Sequence, residues 1–156
     1  MPGADRSVAG AGDGGDGARA GVEVPGLDPA AVVWRFDAGS PTPGVAIAGD
    51  GTVYVPTHEG HVQALSAAGR LEWAYNLQTP AIGAVVTPGG LLVVGTQDAR
   101  LHALRADGMR LWSLNLPFAI ATDLVLGAGG VVLFGDRSGA VVAVDGAVSA
   151  DAGVGT

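Results

Sequence analysis

Short runs of apolar residues, separated by turns that contain glycine, fill the chain from Val32 onward. Residues 53–55, 91–94 and 131–134 are apolar at consecutive positions. A strand with one face in water alternates apolar and polar residues, so consecutive apolar positions indicate strands whose sheet is buried on both faces. The pattern therefore predicts an all-β protein in which sheets pack against one another.

The apolar runs recur at a fixed interval. Trp34, Trp73 and Trp112 follow one another at intervals of 39 residues, and a period of about 20–50 residues is typical of repeat proteins. The residues that lead up to Trp73 match those that lead up to Trp112, and a third, weaker copy follows after a one-residue insertion. In that copy Asp151 stands where the next Trp is expected. The sequence thus predicts three tandem copies of one structural unit.

Each copy has the pattern of a four-stranded antiparallel sheet. The strands predicted for the first copy cover 44–48, 52–57, 61–67 and 70–76. Asp50-Gly51 and Gly89-Gly90 are hairpin signals, and we expect type I′ turns there because Gly and Asp tolerate positive φ best. One copy of this size buries too little apolar surface alone, whereas sheets stacked around a propeller axis cover each other's faces.

These features resemble the PQQ-like (pyrroloquinoline-quinone-type) β-propeller repeat: Asp-Gly, Thr-Val-Tyr-Val, a glycine turn, a strand ending in Ala-Leu, and Gly-x-x-x-Trp. The resemblance covers residues 33 to about 146. It is closest to non-catalytic members such as the propeller lipoprotein of the outer-membrane barrel-assembly machinery. It implies that Trp34, Trp73 and Trp112 pack between adjacent blades. The four-stranded blades that it implies cover about 32–73, 74–112 and 113–148.

Three blades leave a propeller ring open, since such rings hold about 4–8 blades. Residues 32–37 have the pattern of a fourth strand, whereas the third copy ends after a strand of the third kind over 140–144. Two interpretations remain open: two chains associate head to tail into a closed ring, or the chain is a fragment of a longer propeller. The expected partners are therefore a second copy or the remaining blades, together with a protein partner.

The two ends of the chain differ from the repeats. Residues 1–29 are rich in Gly, Ala and Asp and contain few large apolar side chains, so they cannot offset the entropy lost on ordering. We expect a disordered leader there and a flexible tail over 149–156. No stretch reaches the roughly 20 apolar residues of a transmembrane helix. The first residues lack a basic segment followed by an apolar core, so the sequence as given shows no secretory signal. Three interpretations remain open: the protein stays inside the cell, its true start lies upstream, or the signal was removed.

Composition excludes several classes of function. The net charge of −7 and the absence of Lys argue against nucleic-acid binding, which needs clustered basic residues. The absence of Cys excludes disulfides and thiolate metal sites. The dehydrogenases of the PQQ-like family pair their cofactor with calcium-binding acids and an Asp base, and no acidic cluster here matches them. We therefore expect no cofactor and no enzymatic activity.

Few residues are candidates for chemistry. Residues 58–61 (His-Glu-Gly-His) have the composition of a metal site, but they lie across a predicted hairpin turn where the two imidazoles need not converge. The second copy has Gln-Asp-Ala-Arg at 97–100 instead, and we expect an exposed turn rather than a bound metal. We expect His102 to be a partly exposed strand residue. The sequence contains no Gly-x-Ser-x-Gly motif and no catalytic triad order.

Loop residues at equivalent corners of the blades form the candidate partner rim. These are Glu59, Gln97, Asp98, Asp136 and Arg137. The sequence thus predicts a non-catalytic β-propeller scaffold for protein or ligand binding. The alternatives are a fragment of a quinoprotein dehydrogenase and the sensor propeller of a signalling protein. The resemblance implies a location in the periplasm or cell envelope.

Overall fold

The computed structural model describes residues 31–146. The predicted leader over 1–29 and the predicted tail over 149–156 lie outside the described residues. The chain divides into two compact units, and the boundary between them follows Asp37. In the first unit, described over 31–37, no residue belongs to a strand, so the strand predicted over 32–37 is wrong. The apolar sequence there favours a strand, but a strand requires a neighbour that completes its hydrogen-bond ladder.

The second unit consists of three antiparallel sheets in which consecutive strands are neighbours. Blade 1 contains β1 (Ala46–Ile47), β2 (Val53–Pro56), β3 (His61–Leu65) and β4 (Leu71–Asn76). Blade 2 contains β5 (Ala81–Val86), β6 (Leu92–Thr96), β7 (Arg100–Leu104) and β8 (Arg110–Asn115). Blade 3 contains β9 (Val125–Leu126), β10 (Val131–Gly135) and β11 (Val141–Asp145), with a 3-10 helix at Ala128–Gly130 before β10. The prediction of an all-β chain of antiparallel blades is confirmed.

The core lies in the two spaces between neighbouring blades. Between blades 1 and 2, Tyr54 and Val62 pack with Leu92 and Val94. The second cluster contains the other face of blade 2 and the near face of blade 3, including Val93, Leu101, Ile120, Val132 and Phe134. Every residue of β6 is buried. The prediction that this strand is covered on both faces, drawn from its unbroken apolar run, is confirmed.

Blade 2 and blade 3 approach each other closely at Gly95 in β6. A Cβ atom at this position would lie 2.8 Å from Cδ1 of Ile120 and 3.4 Å from Cδ2 of Leu124. The distance to Ile120 is too short for van der Waals contact, so the absence of a side chain at residue 95 allows the two sheets to pack.

The hairpin turns differ from the predicted type I′ turns. Gly51 and Gly90 have positive φ, but Asp50 and Gly89 do not, whereas a type I′ turn requires positive φ at both central residues. In each of these turns the glycine N–H bonds back to the carbonyl three residues earlier, at 3.0 Å for Gly51 and 2.9 Å for Gly90. One left-handed residue after a tight turn is typical of the longer hairpin loop with a glycine bulge.

Candidate binding rim

Three hairpin turns, one from each blade, lie at the same end of their sheets. They connect β2 to β3, β6 to β7 and β10 to β11. In each turn one backbone N–H donates a hydrogen bond to a carbonyl of the segment that precedes the first strand of the same blade. The donor and acceptor pairs are His58 and Pro41 (2.8 Å), Gln97 and Pro80 (3.0 Å), and Arg137 and Ala119 (2.9 Å). The repeat thus anchors all three turns through an equivalent main-chain hydrogen bond.

A depression of about 430 Å³ lies beside these turns. Its lining consists of the three turn residues just described and of apolar residues from the inner segments of blades 2 and 3. The lining residues are His58, Ala81, Ile82, Gln97, Ala119, Ile120, Ala121 and Arg137. Ala81 and Ile120 are buried, so the depression combines an apolar floor with a polar margin. This combination is typical of surfaces that bind peptides and other ligands.

The side chains of the polar margin are accessible. His58, Gln97 and Arg137 are all exposed, and the Arg137 guanidinium forms no ion pair with another residue of 31–146. Glu59 and Asp98, which follow His58 and Gln97 in their turns, are also exposed. Four of the five predicted rim residues therefore lie on exposed turns at this end of the blades.

Asp136 differs from the other predicted rim residues, because it is buried, with 8% of its surface exposed. Its Oδ1 accepts hydrogen bonds from the Ser138 hydroxyl at 2.6 Å and from the backbone N–H groups of Ser138 and Ala140 at 2.9 and 3.1 Å. These bonds, that of the Ser138 hydroxyl foremost, lower the pKa of Asp136. Because the carboxylate accepts hydrogen bonds within its own turn and the residue is buried, Asp136 is not among the accessible residues of these turns.

Asp98 is held in place by a short polar network. The Thr96 hydroxyl donates a hydrogen bond to Asp98 Oδ1, and Asp98 Oδ2 lies 3.6 Å from Arg100 Nε. Thr96 Oγ1 also lies 3.4 Å from Nε2 of His102. One rim carboxylate is therefore connected through a buried threonine to a histidine inside blade 2.

His102 is buried, with 3% of its surface exposed, so the expectation of a partly exposed residue is wrong. The alternation along β7 is interrupted, because four consecutive residues of this strand are buried between two blades. Burial lowers the pKa of His102, and the nearby carboxylate of Asp98 opposes that effect only in part. Its Nδ1 has no hydrogen-bond partner among the described residues. Burial therefore favours the neutral form of the ring.

The predicted blade-docking tryptophans occupy different environments. The Trp73 indole N–H donates a hydrogen bond of 2.9 Å to the carbonyl of Ala106 in blade 2, and its ring centroid lies 5.8 Å from that of Tyr54. Trp112 is buried in the second core cluster, yet its Nε1 has no hydrogen-bond partner among residues 31–146. Trp34 lies in the first unit, outside the strands, and its docking role stays a prediction.

The sequence predicted an exposed turn at 58–61, as the structure shows, but His58 was not among the predicted rim residues. No group of three or more His, Asp or Glu side chains that could hold a metal ion occurs in the part of the chain that the structure describes. The repeat itself indicates that His58 belongs with Gln97, since the two residues are separated by the repeat length of 39 residues.

Over residues 31–146, the structure contains no helix with the length and apolarity needed to cross a membrane.

Comparisons with known proteins agree with this architecture. A family model described as outer membrane protein assembly factor BamB matches residues 21–154. Among solved structures, BamB from Moraxella catarrhalis superposes with a TM-score of 0.58 at 22% identity, over 72% of this chain and 32% of that one. BBS1N in complex with ARL6DN gives 0.62 at 21% identity, over 79% of this chain and 44% of that one.

The WD40 propeller domain of Doa1 gives a TM-score of 0.56 at 16% identity, over 63% of this chain and 34% of that domain's chain. A search of curated proteins returns no significant match. The chain therefore spans less than half the length of the solved propellers that it matches. At these levels of identity the structures establish the fold, and the family match covers most of the sequence. The chain belongs to the BamB-like family of PQQ-like β-propeller repeat proteins.

Proposed function

We propose that the chain is a non-catalytic β-propeller scaffold that binds a protein segment at the rim formed by His58, Gln97 and Arg137. The observation that carries this proposal is the depression beside the three turns, which has an apolar floor and an exposed polar margin. Protein interfaces combine an apolar centre with a polar edge in the same way. Main-chain hydrogen bonds hold all three turns, so little conformational entropy would be lost when a partner binds.

The comparisons support a binding role of this kind. BBS1N was solved in complex with another protein, ARL6DN, and the matching family is named for the assembly of outer membrane proteins. We infer by analogy that the chain contributes blades to a docking scaffold in the cell envelope. The analogy concerns a part of such a scaffold, since the chain spans 32% of the BamB structure that it matches.

Site-specific photocrosslinking in the native host tests the rim. A benzophenone amino acid replaces Gln97, which is exposed and lies in the depression. The matched control places the same group at Ala68, an exposed residue of the turn between β3 and β4 at the opposite end of blade 1. We expect a discrete protein adduct from position 97 and none from position 68.

A second variant links the adduct to the rim chemistry. Arg137→Glu reverses the charge of the accessible guanidinium and should reduce the adduct at position 97 severalfold without altering the circular dichroism spectrum. Equal adducts from both positions, or an adduct at 97 that is insensitive to Arg137→Glu, would contradict a binding site at the rim. Separation of periplasmic and cytoplasmic fractions of the tagged protein tests the envelope location independently.

A further inference from the structure

The charges of the three rim turns differ from blade to blade. The turn of blade 1 carries Glu59, which is exposed and forms no ion pair with another residue of 31–146. In blade 2 the carboxylate of Asp98 lies 3.6 Å from Nε of Arg100, so the two charges at that turn offset each other. The turn of blade 3 carries Arg137, which is exposed and likewise unpaired within the described residues. The rim is thus acidic at blade 1 and basic at blade 3.

Asp136 precedes Arg137 in the turn of blade 3 but does not pair with it. Asp136 is buried, and its Oδ1 accepts hydrogen bonds from the Ser138 hydroxyl and from the N–H groups of Ser138 and Ala140. No ion pair joins Asp136 to Arg137. Because a ligand can pair directly only with an accessible charge, a partner that reaches blade 3 meets the guanidinium of Arg137.

Apolar side chains line the surface next to the charged turns. The depression beside these turns is lined by Ile82 and Ile120, among other apolar residues. Phe118 is 51% exposed and lies close to Arg137, because the backbone N–H of Arg137 donates to the carbonyl of the next residue, Ala119. Aromatic and Arg side chains are enriched among the residues that contribute most to protein interfaces. The rim therefore combines an apolar centre with opposite charges at its two sides.

We propose that the partner of the rim is a protein segment with an apolar centre, a basic residue that pairs with Glu59 and an acidic residue that pairs with Arg137. The inference rests on the proposed function and specifies the chemistry of the partner and its direction, with the acidic residue at blade 3. Complementary charges across an interface fix the register of a partner and exclude partners that bring like charges together. The order of charges along the segment therefore decides which segments the rim accepts.

The acidic group of the partner is a side chain rather than a terminal carboxylate. Terminal carboxylates are captured by clusters of free backbone N–H groups. The N–H groups of His58, Gln97 and Arg137 are already bonded to carbonyls within the chain. Among the side chains that line the depression, the guanidinium of Arg137 matches the geometry of an Asp or Glu carboxylate.

Selection from a library of random peptides displayed on phage, with the purified chain as bait, tests the proposal. We expect the enriched peptides to share an apolar centre with an acidic residue on one side and a basic residue on the other. A synthetic peptide of the enriched sequence then serves as the probe, and its binding should weaken at high salt because exposed ion pairs are screened. Arg137→Gln and Glu59→Gln should each raise its dissociation constant about two- to fivefold.

Double-mutant cycles locate the two charges of the probe. Once Arg137→Gln is present, replacing the acidic residue of the peptide by its amide should have no further effect, whereas replacing the basic residue by a neutral one should still weaken binding. The converse should hold for Glu59→Gln. The matched control is Arg70→Gln, because Arg70 is also exposed but follows the turn between β3 and β4 at the opposite end of blade 1. It should change neither the affinity nor the coupling, and circular dichroism checks the fold of every variant.

Two results would overturn this inference and leave the proposed function standing. The first is a set of enriched peptides that crosslink to a benzophenone at position 97 but share no order of charges. The second is a probe that crosslinks there but that Arg137→Gln and Arg70→Gln weaken equally. A selection that enriches no peptide, or peptides that crosslink from position 68 and not from position 97, would contradict the proposed function itself and this inference with it.

Discussion

The two tryptophans of the ordered repeats offer a direct measurement of what an indole hydrogen bond contributes between blades. Trp73 and Trp112 occupy the same repeat position, but the N–H of Trp73 bonds to Ala106 at 2.9 Å whereas the buried N–H of Trp112 has no described partner. The acceptor that the repeat would supply to Trp112 is the carbonyl of Gly146, the last described residue. Replacing each Trp by Phe removes the N–H from both sites while retaining an aromatic ring.

The structure predicts unequal costs for the two substitutions. Trp73→Phe removes a hydrogen bond with a net contribution of about 0.5–1.5 kcal/mol and part of the buried ring area, about 0.5–1 kcal/mol. Its total cost should be about 1–2.5 kcal/mol. Trp112→Phe also loses ring contacts, about 1–2 kcal/mol, but it removes a buried unpaired donor whose desolvation costs about 1–3 kcal/mol. Its net effect should therefore lie near zero.

Urea unfolding followed by far-ultraviolet circular dichroism gives both values without relying on tryptophan fluorescence. Both variants are measured at one protein concentration, so that any association affects them equally. The slope of the unfolding free energy against urea should be unchanged, because the folded contacts are otherwise retained. The reasoning is refuted if Trp112→Phe destabilises the protein as much as Trp73→Phe does.

Three further predictions concern the turns and the core. Gly108 has φ +91°, and a Cβ atom there would lie 2.9 Å from the Trp73 ring, whereas Gly90 has a similar φ of +88° but open space around it. Gly108→Ala should therefore lower the free energy of unfolding in urea by about 1–2 kcal/mol more than Gly90→Ala does. Ala99 has φ +64°, so Ala99→Gly should stabilise by about 0.5–1 kcal/mol, and a lower melting temperature would contradict this. Because burial lowers the pKa of His102 below its ordinary 6.5, the unfolded chain binds the extra proton first, and stability should be lost as pH falls through 6.5. His102→Gln, the residue type at the equivalent position of blade 1, should flatten this pH dependence of the melting temperature.

The sequence predicted the blades because their signals are local and repeated. The unbroken apolar run of β6 could only belong to a strand covered on both faces, and the structure buries all of its residues. The turn geometry was predicted less well, because Asp50-Gly51 is compatible with two hairpin types that differ in the φ of the first residue alone. The strand predicted over 32–37 does not form, because the apolar pattern of a strand carries no information about whether a neighbouring strand pairs with it.

The exposure of the candidate rim residues was predicted in part, for a similar reason. Exposed turn residues such as Gln97 and Asp98 follow from the repeat, but the sequence does not indicate which turn carboxylate binds its own backbone. The Asp136 carboxylate accepts hydrogen bonds from three donors in its own turn, and the residue is buried. His102 was misjudged because its strand lies between two blades. It stands opposite Val94, which packs in the core that blades 1 and 2 share, and that core is formed by residues distant in sequence.

Main-chain hydrogen bonds anchor the three rim turns, so the side chains that would contact a partner are not the groups that hold these turns in place. Since His58, Gln97 and Arg137 are anchored by their peptide N–H groups, their side chains are free to change without weakening the turns that present them. An imidazole, an amide and a guanidinium already occupy three equivalent places in one chain. The same backbone could therefore acquire a new specificity by point substitutions at these positions, and exchanging the three side chains is a practical route to redirecting the scaffold towards a chosen target.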